Sequence, residues 1–113
     1  MIKTYIHHQL RQIGRSYDNL QCQACADEME MWLSQNGFAG IYLTARGGGR
    51  RGYIVSARYK SGRVAISENG YHYGIEVGGL VFDNLPEAGL TREVWLNGLD
   101  ALGGVRIIEQ RKF

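Results

Sequence analysis

The chain lacks any apolar run near the roughly 18 residues that a membrane-crossing helix needs. Its start, Met1-Ile2-Lys3-Thr4-Tyr5, also lacks the basic stretch, apolar core and small-residue cleavage site of a secretory signal. The expected location is the cytoplasm as synthesised, without membrane association. Cysteine occurs only twice, at Cys22 and Cys25. Two thiols three positions apart cannot form an ordinary framework disulfide, so the fold must stand on its core, in a reducing compartment. Histidine occurs three times; two thiols and so few imidazoles are a thin supply for a tetrahedral zinc site, and no metal or cofactor is called for. A single proline against 16 glycines points to tight turns between short strands rather than to a disordered or collagen-like chain. Net charge is only +2, which demands no nucleic acid. At 113 residues the chain, residues 1–113, is one domain able to bury roughly two thirds of its unfolded surface.

What is present is organised around Asn19-Leu20-Gln21-Cys22-Gln23-Ala24-Cys25-Ala26 and the run that follows it. Asn19 is a good helix cap, and small or apolar residues recur at Cys22, Ala26, Met29 and Leu33, the stripe of an amphipathic helix over about 20–35. Asn36-Gly37 suits its close. Both cysteines thus fall at a helix start, where unpaired N–H groups favour an anion and a thiol can act as a nucleophile. The plainer alternative is that small cysteines fill helical cores and are inert there.

Ile2, Tyr5, Ile6, Leu10 and Ile13 share one face and predict an earlier helix over about 2–14, with Gly14 as its stop. From 41 onward the pattern turns to β-branched and aromatic runs at 41–44, 53–56, 64–67, 71–77 and 80–82, separated by glycine-containing turns, which reads as an antiparallel meander. Thr91 is placed to cap a third helix carrying Val94, Trp95, Leu99 and Leu102, and 105–108 can add a last strand. The expected class is α+β: N-terminal helices packed on an antiparallel sheet of about 4–6 strands, with a further helix near the C-terminus.

Only His72 lies within the predicted sheet; His7 and His8 belong to the first helix. If Gly78-Gly79 forms a two-residue hairpin turn, Val77 pairs with Leu80, Glu76 with Val81, Ile75 with Phe82 and Gly74 with Asp83. His72 and Asp83 then become diagonal neighbours on one face, roughly 7–8 Å apart at the backbone, with Gly74 leaving room between them. A carboxylate on one imidazole nitrogen and a thiol on the other make a general-base arrangement, provided that a helix start brings its cysteine to the histidine end. Taken singly, His72 could fill space beside Tyr71 and Tyr73, and Asp83 could be a turn residue of Asp83-Asn84-Leu85-Pro86.

Gln21-Cys22-Gln23-Ala24-Cys25-Ala26, Ile66-Ser67-Glu68-Asn69-Gly70-Tyr71-His72-Tyr73-Gly74-Ile75, Val81-Phe82-Asp83-Asn84-Leu85-Pro86, Gly89-Leu90 and Trp95-Leu96 resemble, in that order, the papain-fold toxin 2 family of bacterial polymorphic toxin systems. The resemblance covers about residues 18–102, leaving 1–17 as an N-terminal helical extension. It implies a compact papain-like fold with a Cys-His-Asp triad, usually the C-terminal warhead of a larger secreted protein that is neutralised by an immunity protein. Carried over by position, the nucleophile is Cys22, the base His72 and the orienting acid Asp83. Candidates for the oxyanion hole are the Cys22 N–H with Gln21 or Asn19, and Asn84 is an alternative third member. The implied substrate is a protein amide in a target cell, attacked through a thioester; hydrolysis, glutamine deamidation and acyl transfer all share that step. This chain begins with methionine and carries no delivery module, so an excised warhead, a standalone toxin and a domesticated relative all stay open.

Two readings from other classes compete. Cys22-x-x-Cys25 at a helix start also fits a thiol-disulfide oxidoreductase, although no apolar strand precedes it. Between Ile41 and Ser67 there is no acidic residue, while Arg46, Arg50, Arg51 and Arg58 fall among tyrosines. This strip could bind an acidic surface, such as that of an immunity protein, or simply be a solvated hairpin. Gly47-x-Gly49-x-x-Gly52 matches a dinucleotide fingerprint by letter, but it precedes a β pattern and reads as a hairpin tip.

Overall fold

The structure, a computed structural model, describes residues 3–49, 52–86 and 88–113. Two helices come first, α1 (Thr4–Arg15) and α2 (Cys22–Gln35). The strands β1 (Ile41–Gly47), β2 (Ile54–Ser56), β3 (Ala65–Ser67), β4 (Tyr71–Val77) and β5 (Leu80–Phe82) follow. A short helix α3 (Arg92–Asn97) then leads into β6 (Leu99–Asp100) and β7 (Val105–Lys112). The molecule is α+β, and no described helix is long and apolar enough to cross a membrane.

Gly14 does not end α1 but lies buried in its last turn. A Cβ at this position would sit 2.6 Å from the backbone oxygen of Asp83, so the missing side chain lets α1 press directly on that loop. This reverses an ordinary expectation. Gly→Ala inside a helix gains roughly 0.5–1 kcal/mol, whereas Gly14→Ala is expected to lower the thermal midpoint because backbone, not a movable side chain, meets the new methyl. A rise in the midpoint would refute the contact.

The start of α2 also departs from the sequence pattern. Asn19 is not its cap: the chain reverses at Leu20, a non-glycine residue at φ 74°, and the helix starts at Cys22 after Gln21 with no side-chain cap. Asn19 instead donates to the Ala65 carbonyl at 2.8 Å, tying the helix entry to β3. The exit follows the local signal. Gly37 at φ 78° allows Phe38 N to donate to Leu33 O at 2.9 Å and Gly37 N to Ser34 O at 3.2 Å, the paired bonds of a left-handed helix stop.

The strands form two antiparallel sheets rather than one meander, with orders β5-β4-β1-β7 and β3-β2-β6. β1 leaves its neighbour in sequence and pairs with both β4 and β7. Glycine-rich backbone makes this possible: Gly48 N donates to Gly104 O at 2.9 Å, and a Cβ on Gly48 would lie 2.7 Å from Gly103 O. The β4–β5 hairpin has the expected register, Val77 to Leu80, Glu76 to Val81 and Ile75 to Phe82, with Gly78 and Gly79 both at positive φ. Alternation along these strands separates two cores. Tyr42, Ile75 and Phe82 face Leu10, Cys25, Met29 and Leu33 of the helices; Leu43, Ala45 and Val81 face Ile54, Ile66, Trp95 and Leu99.

Near the C-terminus, Thr91 Oγ1 accepts from Val94 N at 3.3 Å and caps α3, as its sequence suggests. The helix is shorter than the apolar pattern, however. Leu99 enters β6 and Leu102 is 85% exposed, so the helical spacing of these two leucines is coincidental.

Candidate active site

His72 sits on the face of β4 that looks towards Trp95, and both side chains are fully buried. Its Nε2 lies 3.0 Å from Asp83 Oδ2; a carboxylate only accepts, so Nε2 carries the proton in this bond. Asp83 follows directly on β5 and is 2% exposed. It also accepts from Trp95 Nε1 at 2.8 Å and from Leu85 N at 3.0 Å, and Arg58 Nη2 stands 3.7 Å from Oδ2. Trp95 completes the packing by stacking on the imidazole, with ring centroids 5.8 Å apart and planes 26° apart.

The role of Gly74 differs from the one expected of it. A Cβ there would lie 2.8 Å from Val81 Cγ1 and 2.9 Å from Trp95 Cζ2, so the vacant space admits the indole. Trp95 is the residue that the sequence pattern misses. Its spacing marks only an apolar helix position, and nothing local shows that its N–H ends on a carboxylate.

Cys22 comes to this pair by an unexpected route. α2 packs on the sheet face opposite His72, through Cys25, Ala26 and Met29. β5, however, reaches only Ile75–Val77 of β4, so among the described residues the first half of β4 has a free edge on that side. The N-terminal end of α2 abuts this edge, with Cys22 Sγ 4.0 Å from the Tyr71 carbonyl. His72 Nδ1 is buried without a hydrogen-bond partner among the described residues, and Cys22 acts on the ring together with Asp83.

The electrostatics follow from burial and partners. Burial alone would push the His72 pKa down, but the hydrogen bond to Asp83 and the contact with Cys22 outweigh it and carry the value up to about 9. Burial would raise the Asp83 pKa, yet the His72 hydrogen bond, the Arg58 charge and the Trp95 N–H hold it below the usual carboxylate value. Cys25 shows the opposite case: fully buried in the helical core, its thiol is pushed up to about 12, chiefly by desolvation. A thiol so placed is poorly suited to exchange with Cys22.

Cys22 is 6% exposed. It opens into a groove of about 290 Å³ whose walls include Leu20, Gln23, Ile66, Glu68 and Tyr73. Leu20 is 47% exposed while holding a backbone conformation that strains a leucine. The auxiliary candidates have other engagements. Gln21 Oε1 accepts from Asp18 N at 2.8 Å, Asn84 Nδ2 donates to Asp18 O at 2.9 Å, and the Asn19 amide is committed to Ala65. The Cys22 N–H, in the first turn of α2, has no partner within the helix.

Of the basic strip, Arg46 is exposed and lies on Tyr71, donating to its hydroxyl at 2.8 Å. Arg58 turns inward to Asp83, its side chain only 9% exposed. Arg50 and Arg51 lie outside the described residues.

Comparison with known proteins gives one finding. A family model described as papain fold toxin 2 matches residues 5–100, from the first turn of α1 to the end of β6. No curated protein and no solved structure matches the chain. The match takes in most of the sequence and is consistent with the helices and antiparallel sheets described above. The chain belongs to the papain fold toxin 2 family and is a papain-like toxin domain.

Proposed function

We propose that the domain is a cysteine hydrolase that attacks a protein amide through Cys22, with His72 as general base and Asp83 as the acid that orients it. The observation that carries this reading is the division of labour on one buried ring: Nε2 is held by Asp83 at 3.0 Å, Nδ1 has no partner among the described residues, and Cys22 acts on the same ring. The proton of the thiol passes to His72 before attack, the sulfur attacks the carbonyl carbon as a thiolate, and Asp83 stabilises the imidazolium. The tetrahedral oxyanion forms next to the first-turn N–H groups of α2, which point where negative charge develops. Collapse returns the proton from His72 to the leaving nitrogen and leaves a thioester on Cys22, which water then hydrolyses. The substrate enters along the groove past Leu20 and Tyr73, the open approach to an otherwise closed sulfur. Toxicity towards a target cell is the biological outcome, and a cognate immunity protein is the partner that restrains it.

The test is expression in a bacterial host of the wild type beside Cys22→Ala, Cys25→Ala, His72→Ala and Asp83→Ala. Growth inhibition should vanish with the Cys22 and His72 changes, weaken with Asp83→Ala and largely persist with Cys25→Ala. Equal toxicity in all five would remove the triad.

A further inference from the structure

Arg58 is an anomaly among the cations of this protein. It leaves the chain just after β2, in the stretch that reads as a basic surface strip, yet its side chain is 9% exposed. Burying a guanidinium costs several kcal/mol unless its charge and donors find partners. Here the donors are poorly served: Nη1 reaches the Pro86 carbonyl at 3.3 Å, whereas Nε and Nη2 have no hydrogen-bond acceptor among the described residues. The charge, by contrast, faces a carboxylate, Asp83 Oδ2, at 3.7 Å. Asp83 and Pro86 are the two ends of the turn that carries the acid of the site.

We propose that Arg58 is a positioning residue of the Cys22-His72-Asp83 site, a fixed counter-charge that holds Asp83 ionised and clamps its turn behind His72. This inference rests on the triad reading given above. A neutral acid would neither support an imidazolium nor accept from Trp95 and Leu85 with the same strength. An arginine is suited to the task because a guanidinium is a permanent charge on a rigid fork of donors.

The groups that act on Asp83 come from several elements. His72 on β4 and Arg58 favour its charge, the Trp95 N–H donates to it, and on the helical side the charge of Asp83 in turn helps to raise the Cys25 thiol. Behind the turn, a cavity of about 440 Å³ places Arg11 and Arg15 of α1, Asp18 and Tyr59 around the same loop. Of these three arginines, only Arg58 forms an ion pair with Asp83.

The experiment reads the site without a substrate. In a Cys25→Ala background, the rate of Cys22 alkylation by iodoacetamide is measured from pH 4 to 9 for the parent, Arg58→Met, Arg58→Gln, Arg58→Lys and His72→Ala, with thermal melts on each. Loss of the counter-charge should move the acid limb of the profile up by about one pH unit. Arg58→Met then reacts about tenfold more slowly at pH 5 and within twofold of the parent at pH 8. Arg58→Lys, which keeps the charge, should retain the parent limb. Arg58→Gln repeats the test should methionine prevent folding. A parent-like acid limb in a folded Met or Gln variant overturns the proposal while leaving the triad standing. If His72→Ala also keeps the parent profile, the triad reading falls and takes this inference with it.

Discussion

Replacing His72 by alanine is expected to slow alkylation of Cys22 by iodoacetamide on the order of 10²–10³-fold at pH 5.5, and by far less at pH 9. Charge is the reason. In the wild type the imidazole beside the sulfur is held protonated well past neutrality by Asp83, with its pKa at about 9. In the pair proposed above, a protonated ring stabilises negative charge on the sulfur in a site that excludes nearly all water, where an ion pair is worth more than at the surface. Without the ring that stabilisation is lost, and an unassisted thiol is ionised only to about one part in a thousand at pH 5.5. At pH 9 most ordinary thiols are ionised, so the two proteins should converge. Alkylation rates that differ by a constant factor across the range would assign His72 to packing alone. Asp83→Asn should fall between the two, because the amide keeps the shape of the acid but not its charge.

The largest loss of stability within the site is expected for Asp83→Ala. The carboxylate accepts from His72, Trp95 and Leu85 N and faces Arg58, so its removal strands several buried donors and a buried cation together. Breaking a buried pair from one side typically costs about 3–5 kcal/mol, which denaturant melts resolve easily. The pair also sets the pH dependence of folding, and the sign follows from the two shifts. His72 is raised above its ordinary 6.5, so its contribution is complete below about pH 6.5 and is lost as pH rises through about 9. Asp83 is lowered below 3.8, so its contribution is complete above that value and is lost as pH falls through its depressed folded pKa. These are two views of one interaction and count once. Stability should therefore plateau between about pH 4 and 6.5 and decline on either side, with both slopes flattened in Asp83→Asn. An alkaline slope that survives in Asp83→Asn would break the link between the two residues.

Much of this site can be read in the sequence because its key pairing is local. Gly78 and Gly79 permit a two-residue turn, the turn sets the register, and the two-residue period of a strand then puts His72 and Asp83 on one face. The stop of α2 at Asn36-Gly37 and the Thr91 cap of α3 are legible for the same reason: each is satisfied within a few residues. The errors share the opposite property. Asn19 has the chemistry of a helix cap but spends its amide on Ala65, and Gly14 resembles a helix stop but serves as a contact with Asp83. In both cases a distant backbone oxygen competes with the local role and wins.

Residue order alone thus determined that a cysteine would open a helix and that an imidazole and an acid would meet across a hairpin, since short-range dihedrals and side-chain alternation dictate both. The folded molecule decided how the sulfur arrives, past the unpaired edge of β4, and which residues close the site, with Trp95 filling the space over Gly74 and Arg58 buried against the carboxylate. Those outcomes depend on contacts between segments tens of residues apart. There, packing and the cost of an unpartnered charge outweigh anything that neighbouring residues prefer.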